Sequence, residues 1–242
     1  MFRDTPPVVK NLLIINVLAY VAMIMLRSQD IDLTEYFGLH FWKSEAFYPH
    51  QLVSYMFMHS FTITHLLFNM FAVWMFGKVL ESVWGSKRFL IYYMVTGIGA
   101  GLIQLLVIYL RLMPLYSQLS PEDLSYITEN GYQLLQEGKN FTDPIAGKIN
   151  LLLNVTTVGA SGAVFGILLA FGMLFPNTEL MLLFPPIPIK AKWFVIGYGA
   201  IELYSGMANN AGDNVAHFAH LGGMLFGFVM IKYWQKNSNR FY

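Results

Sequence analysis

Three clusters of polar residues stand inside apolar stretches of this 242-residue chain, and each carries groups that do chemistry. The first is His65-Leu-Leu-Phe-Asn69, the second Gly159-Ala-Ser161-Gly162, and the third His217-Phe-Ala-His220-Leu-Gly-Gly223. A serine hydroxyl beside a neutral imidazole is the minimal set for nucleophilic attack with proton removal. His65 and Asn69 are four residues apart, so a helix puts both on one face. One donates from an imidazole N–H and the other from an amide, which suits a developing oxyanion. Structural readings compete at each place. Ser161 also serves as a small residue for close helix approach, His220 as a satisfied packing histidine, and His65 with Asn69 as an interhelical polar clamp.

Neighbouring glycines tilt the balance. Gly159 and Gly162 let a backbone or a substrate come close to Ser161, and Gly166 repeats the small position four residues on. Gly223 and Gly227 follow His220 at i+3 and i+7, on its own helical face. Two glycine-lined helices packed on these faces bring Ser161 and His220 towards hydrogen-bond range. Phe165, one turn below Ser161, is placed to lie under the imidazole ring. His217 reads either as a supporting group that orients substrate or water or as merely solvated, and His59 as a stabiliser of an outer loop. His40 and His50 are expected to be exposed loop histidines.

The elements that carry these clusters follow from where charge is missing. The composition is 56% hydrophobic and 12% charged, about half the charge of a soluble domain, which excludes a disordered chain. Charge-free gaps run over 11–26, 46–77, 89–110, 149–178 and 214–231, and residues 193–204 are interrupted only by Glu202. A membrane span needs about 20 apolar residues. Six helices are therefore predicted, at about 10–27, 63–84, 89–111, 160–176, 191–207 and 214–234, in an all-α polytopic membrane protein. The termini and the turns on their side hold ten of the fifteen Lys and Arg residues, which predicts cytoplasmic termini. The second, fourth and sixth helices then start at the outer face, and all three polar clusters fall at one depth just beneath it.

The long outer segment 111–153 contains Ser120-Pro-Glu-Asp, a helix-start pattern that suggests a surface helix at about 121–137, with a flexible polar loop as the competing reading. Gly97, Gly99 and Gly101 predict close packing of the third helix, and the tryptophans suit interfacial anchoring. Glu81 is expected to accept backbone or Lys/Arg hydrogen bonds, and Glu202 to be hydrated or paired, with a catalytic carboxylate as the minority reading. The net charge of +1 offers no field for nucleic acid, and with no cysteine there is no thiolate metal site or thiol catalysis. No His-Glu-x-x-His occurs either, so no metal and no other cofactor is expected. No Asp lies in a predicted span, which disfavours aspartyl chemistry there.

The chain resembles the rhomboid intramembrane serine proteases, in their six-helix bacterial form. The resemblance rests on Gly159-Ala-Ser161-Gly162, on Ala219-His220-Leu-Gly-Gly223 continued to Gly227, and on His65-xxx-Asn69, three motifs in family order. The stretch from Phe175-Pro-Asn to Lys190-Ala-Lys resembles the family's inner loop. The resemblance implies one rhomboid membrane domain over 1–242, a six-transmembrane-helix bundle, with 111–153 as an outer insertion. It implies Ser161 as nucleophile and His220 as base, a dyad with no carboxylate assigned. His65, Asn69 and the Ser161 N–H form the oxyanion hole in that scheme, and the fifth helix acts as a gate. It further implies transmembrane protein substrates, a bilayer environment in a bacterial inner membrane, and a site opening outward. The alternative is a non-catalytic relative that binds membrane client proteins. Two positions depart from the family pattern: His50-Gln51 stands where a Trp-Arg pair is common, and Phe165 where a tyrosine is common.

Overall fold

A computed structural model of the chain describes residues 4–181, 186–208 and 216–237. The first long helix, α1 (Pro7–Arg27), starts at a proline, whose missing N–H is harmless in a first turn. No side chain of its own caps it. The Glu81 carboxylate does so from a distance, accepting from the N–H groups of Val8 (2.9 Å) and Val9 (2.8 Å). Ser86 Oγ donates to the same carboxylate at 2.7 Å. Glu81 thus accepts backbone bonds, as its isolated charge suggested.

After α1 come two short helices, α2 (Leu33–Phe37) and α3 (Gln51–Ser54), with a 3-10 turn at Tyr55–Phe57. The second long helix runs over Ile63–Trp84 as α4 (Ile63–Ala72), a π-helical stretch (Val73–Gly77) and α5 (Lys78–Trp84). Gly85, with φ +78°, turns the chain into α6 (Ser86–Tyr116). Helices α7 (Pro121–Gln136) and α8 (Pro144–Asn154) fill the outer segment. Then follow α9 (Ser161–Leu174), α10 (Ala191–Ala208) and α11 (His217–Asn237). Among the described residues, three helices are long and apolar enough to cross a membrane: Pro7–Arg27, Ile63–Trp84 and Ser86–Tyr116.

The all-helical expectation needs one correction. Strands β1 (Glu179–Met181) and β2 (Pro188–Lys190) pair antiparallel between α9 and α10, where Pro and a short apolar run favour an extended chain. The predicted surface helix at 121–137 is present as α7, capped by Ser120 Oγ accepting from the Asp123 N–H. The α8 helix beside it was not foreseen. The third predicted helix extends to Tyr116, five residues past its expected end. Arg111, the charged residue nearest its C-terminal end, donates to the Gly206 carbonyl at 3.0 Å. The expected start of the last helix at 214 lies outside the described residues. Trp84 is no interfacial anchor: it is buried, its ring 4.9 Å from Tyr92 and 5.5 Å from Trp234.

The glycines explain how α6, α9 and α11 pack. A Cβ on Gly223 would overlap the Gly162 carbonyl oxygen, and one on Gly162 would overlap the Ala100 side chain. So α9 and α11 touch backbone to backbone at the level of the polar clusters, and both rest on α6. Lower down the pattern differs from the expected glycine seam. Gly166 faces Thr96 and Gly227 faces the Tyr92 hydroxyl, both on α6. Tyr92 also donates to the Gly166 carbonyl at 2.8 Å.

Gly223→Ala therefore has nowhere to put its methyl group. Overpacking against backbone sits at the top of the usual range of about 1–3 kcal/mol. We expect the thermal midpoint in detergent to fall by roughly 5–10 °C. Gly197→Ala, whose added carbon meets nothing within 4 Å, should leave it unchanged or raise it. Equal midpoints for the two variants would contradict this packing.

Candidate active site

Gly159 sets the geometry. Its φ of +126° is a conformation that other residues rarely adopt. Its N–H is fixed by donating to the Tyr55 carbonyl at 3.0 Å. The chain then turns through Ala160 directly into α9, so Ser161 is the first helical residue. Val164 N–H donates to the Ala160 carbonyl, which leaves the N–H groups of Ser161, Gly162 and Ala163 without helical acceptors.

On α11, one turn into the helix, the His220 ring meets this N-terminus. His220 Nε2 lies 2.7 Å from Ser161 Oγ. The imidazole stacks on Phe165 at 4.3 Å between centroids and 7° between planes. Phe165 keeps the ring contact that the sequence suggested for this position. On its other nitrogen, His220 Nδ1 lies 2.9 Å from Glu202 Oε2 of α10. Nδ1–H therefore donates to the carboxylate, and Nε2 is left to accept the serine proton.

The third cluster comes from α4. The Ser60 backbone N–H donates to His65 Nδ1 at 3.1 Å. A backbone N–H is always a donor, so Nδ1 is the acceptor and Nε2 carries the hydrogen. The position that a Cβ on Gly159 would occupy is 2.9 Å from His65 Nε2 and 3.5 Å from Ser161 Oγ. Because residue 159 is glycine, that space stays open between a donor and the hydroxyl. Asn69 uses one amide N–H on the His65 carbonyl, at 2.8 Å, and retains a second. Ser161, His220, His65 and Asn69 all line one cavity of about 1680 Å³.

Chemically, this arrangement holds an acceptor against a hydroxyl and keeps N–H donors around an adjacent void. His217 does not reach the hydroxyl. Its Nδ1 lies 2.6 Å from Glu202 Oε2, behind His220. Gly162 and Gly223 act as the close-packing pair, and Gly227 packs further down. Of the loop histidines, His50 is exposed but His40 is buried, which corrects the expectation for it. Its Nδ1 donates to the Gly38 carbonyl at 3.1 Å, and Nε2 meets Thr156 Oγ1 at 2.9 Å. Burial lowers the His40 pKa. His59 is buried with its ring centroid 5.2 Å from that of His65. Burial, then the neighbouring His65, push its pKa down to about 4, so it brings no charge to the site at neutral pH. Gln51 anchors the outer loop at the departure from the family pattern. Its Oε1 accepts from the His40 N–H at 3.2 Å, and its Nε2 donates to the Ala46 carbonyl at 2.8 Å.

The model of the Rhomboid domain matches residues 46–236, more than half of the chain. The chain belongs to the rhomboid family. A rhomboid relative is Rhomboid protein 1, mitochondrial, from Saccharomyces cerevisiae, 27% identical over 180 residues. The alignment covers 73% of this chain and 40% of that protein, so the chain spans well under half of its relative's length. The rhomboid match includes all three clusters and every helix from α3 to α10. Together with the apolar helices, it makes this rhomboid a helical membrane protein.

Glu202 is the residue whose position the sequence did not convey. It was the single charge in an otherwise apolar segment, which is a signal for a partner inside the protein. Which partner depends on how α10 is rotated against α11, and no spacing within one helix records that.

Proposed function

We propose that this rhomboid is an intramembrane serine endopeptidase that cleaves transmembrane segments of membrane proteins. The observation that carries this reading is the 2.7 Å contact between Ser161 Oγ and His220 Nε2, beside an open space faced by His65 Nε2. Rhomboids are generally intramembrane serine proteases, which adds to it.

In this mechanism Ser161 Oγ attacks the carbonyl carbon of the scissile peptide bond, and its proton passes to His220 Nε2. The oxyanion is held by His65 Nε2–H, the free Asn69 amide N–H and the Ser161 backbone N–H. The intermediate collapses as His220 gives that proton to the leaving amine, and an acyl-enzyme remains. Water, deprotonated by His220, attacks the ester; as the bond to Ser161 Oγ breaks, His220 returns that proton to Oγ and the acid product leaves. A substrate helix hides its carbonyls in its own hydrogen bonds, so helix-breaking residues near the cut favour cleavage. The reaction needs no metal or other cofactor.

The same reading takes α1, α4 with α5, α6, α9, α10 and α11 as six spans. The 14 residues of α9 reach about 21 Å, less than a bilayer core of about 30 Å. A span that starts in a water-filled recess below the outer surface can be that short. The Lys and Arg distribution supports cytoplasmic termini and a site opening to the outer side of a bacterial inner membrane.

The test is cleavage of a single-span protein in liposomes holding the purified chain. Wild type releases two fragments and Ser161→Ala none. Stable substrate capture by wild type without any cleavage would favour the non-catalytic client binder instead.

A further inference from the structure

Glu202 makes the site larger than a two-residue one. Its carboxylate is buried, with a relative exposure of 8%, as is His220. A buried carboxylate needs partners. Among the described residues, those facing it are both on α11: His220 Nδ1 at 2.9 Å and His217 Nδ1 at 2.6 Å, on the same oxygen, Oε2. One carboxylate oxygen has two lone pairs, so both imidazoles can donate to it at once. Arg111, the nearby cation on α6, is engaged with the Gly206 carbonyl, one helical turn along α10. Ser161 Oγ, His220 and Glu202 therefore form a continuous chain of hydrogen bonds from α9 through α11 to α10.

We infer that Glu202 is a positioning residue for the proteolytic reaction, holding the His220 ring and its tautomer, with His217 fixing the carboxylate from behind. This rests on the serine endopeptidase reading and extends it from a dyad to a Ser161–His220–Glu202 relay. Glu202 keeps the hydrogen on Nδ1, so Nε2 is free to take the Ser161 proton. When His220 becomes positively charged, the adjacent carboxylate stabilises it, and Glu202 itself stays ionised. The proton goes no further than His220. From sequence, Glu202 reads as a hydrated or paired group, with a catalytic carboxylate the less favoured reading. The structure puts it on the nitrogen that decides which way His220 faces.

The discriminating measurement is steady-state cleavage of a single-span substrate in liposomes by wild type, Ser161→Ala, Glu202→Gln and Glu202→Asp. Removing the carboxylate of a serine-protease triad costs on the order of 10⁴ in kcat. For Glu202→Gln we expect kcat to fall roughly 10²–10⁴-fold with KM within threefold of wild type, because Glu202 does not touch substrate. Glu202→Asp, which keeps the charge on a shorter arm, should regain at least tenfold over Glu202→Gln. A kcat for Glu202→Gln within tenfold of wild type, or a loss that appears in KM instead, overturns the inference. If Glu202→Gln does not purify folded, Glu202→Asp decides alone: reduced kcat at unchanged KM supports the relay, and wild-type kcat overturns it. Ser161→Ala separates the two levels. Cleavage persisting in that variant removes the endopeptidase reading itself, whereas an inactive Ser161→Ala beside a fully active Glu202→Gln removes only the role of Glu202.

Discussion

Ser161→Ala is expected to abolish cleavage in liposomes while the protein folds and melts as wild type does. The chemistry sets the size of the effect. Without Oγ there is no nucleophile, and in soluble serine proteases loss of the nucleophile costs on the order of 10⁶ in kcat. The structural cost is small. Ser161 is half-buried at the mouth of α9, and its side-chain hydrogen bond is the one to His220. Losing a bond of that kind costs about 1 kcal/mol. His220→Ala should match Ser161→Ala, and the double variant should be no worse than either, because the two groups act as one unit. Cleavage by Ser161→Ala within tenfold of wild type would mean that the hydroxyl is not the nucleophile.

The second large effect belongs to the oxyanion donors. Asn69→Ala is expected to lower kcat by about 10²–10³, with little change in KM. The oxyanion exists only along the reaction path, so its donors do not tighten ground-state binding. His65→Ala should behave in the same way. Gly159→Ala tests the same space from the other side. Its methyl would sit 2.9 Å from His65 Nε2, where the oxyanion is to be held, on a backbone with φ +126°. All three losses should appear in kcat. A loss confined to KM would reassign His65 and Asn69 to substrate binding.

Much of this site was legible in the sequence, for a reason particular to membranes. Polar residues are costly in lipid, so Ser161, His220, His65 and Asn69 stand out against apolar neighbours. Helix periodicity then predicted which of them share a face. Gly162 and Gly223, read as close-approach residues, do meet across α9 and α11. What the sequence withheld depends on tertiary packing. Gly166 and Gly227 have the same spacing as the upper pair, but α6 occupies the groove that they leave. His40 reads as an exposed loop residue, yet it is buried, bonded through its N–H to Gln51 and through its ring to the distant Thr156. The α8 helix was hidden because Asn150 and Asn154 break its apolar pattern. Those asparagines bond within the outer cap, Asn154 Nδ2 to Asn150 Oδ1 at 2.8 Å and Asn150 Nδ2 to Asn140 Oδ1 at 3.0 Å. Its start was in fact marked by Asp143-Pro144, a cap residue followed by a proline.

Covalent labelling tests the central claim most directly. The purified protein in detergent is treated with a serine-reactive phosphonate, and the adduct is located by peptide mass spectrometry. A hydroxyl activated by an adjacent imidazole reacts, and the other serines do not. The account predicts one adduct, on Ser161, formed by wild type and lost in His220→Ala. An adduct on another residue, or equal labelling of Ser161 with and without His220, would contradict it.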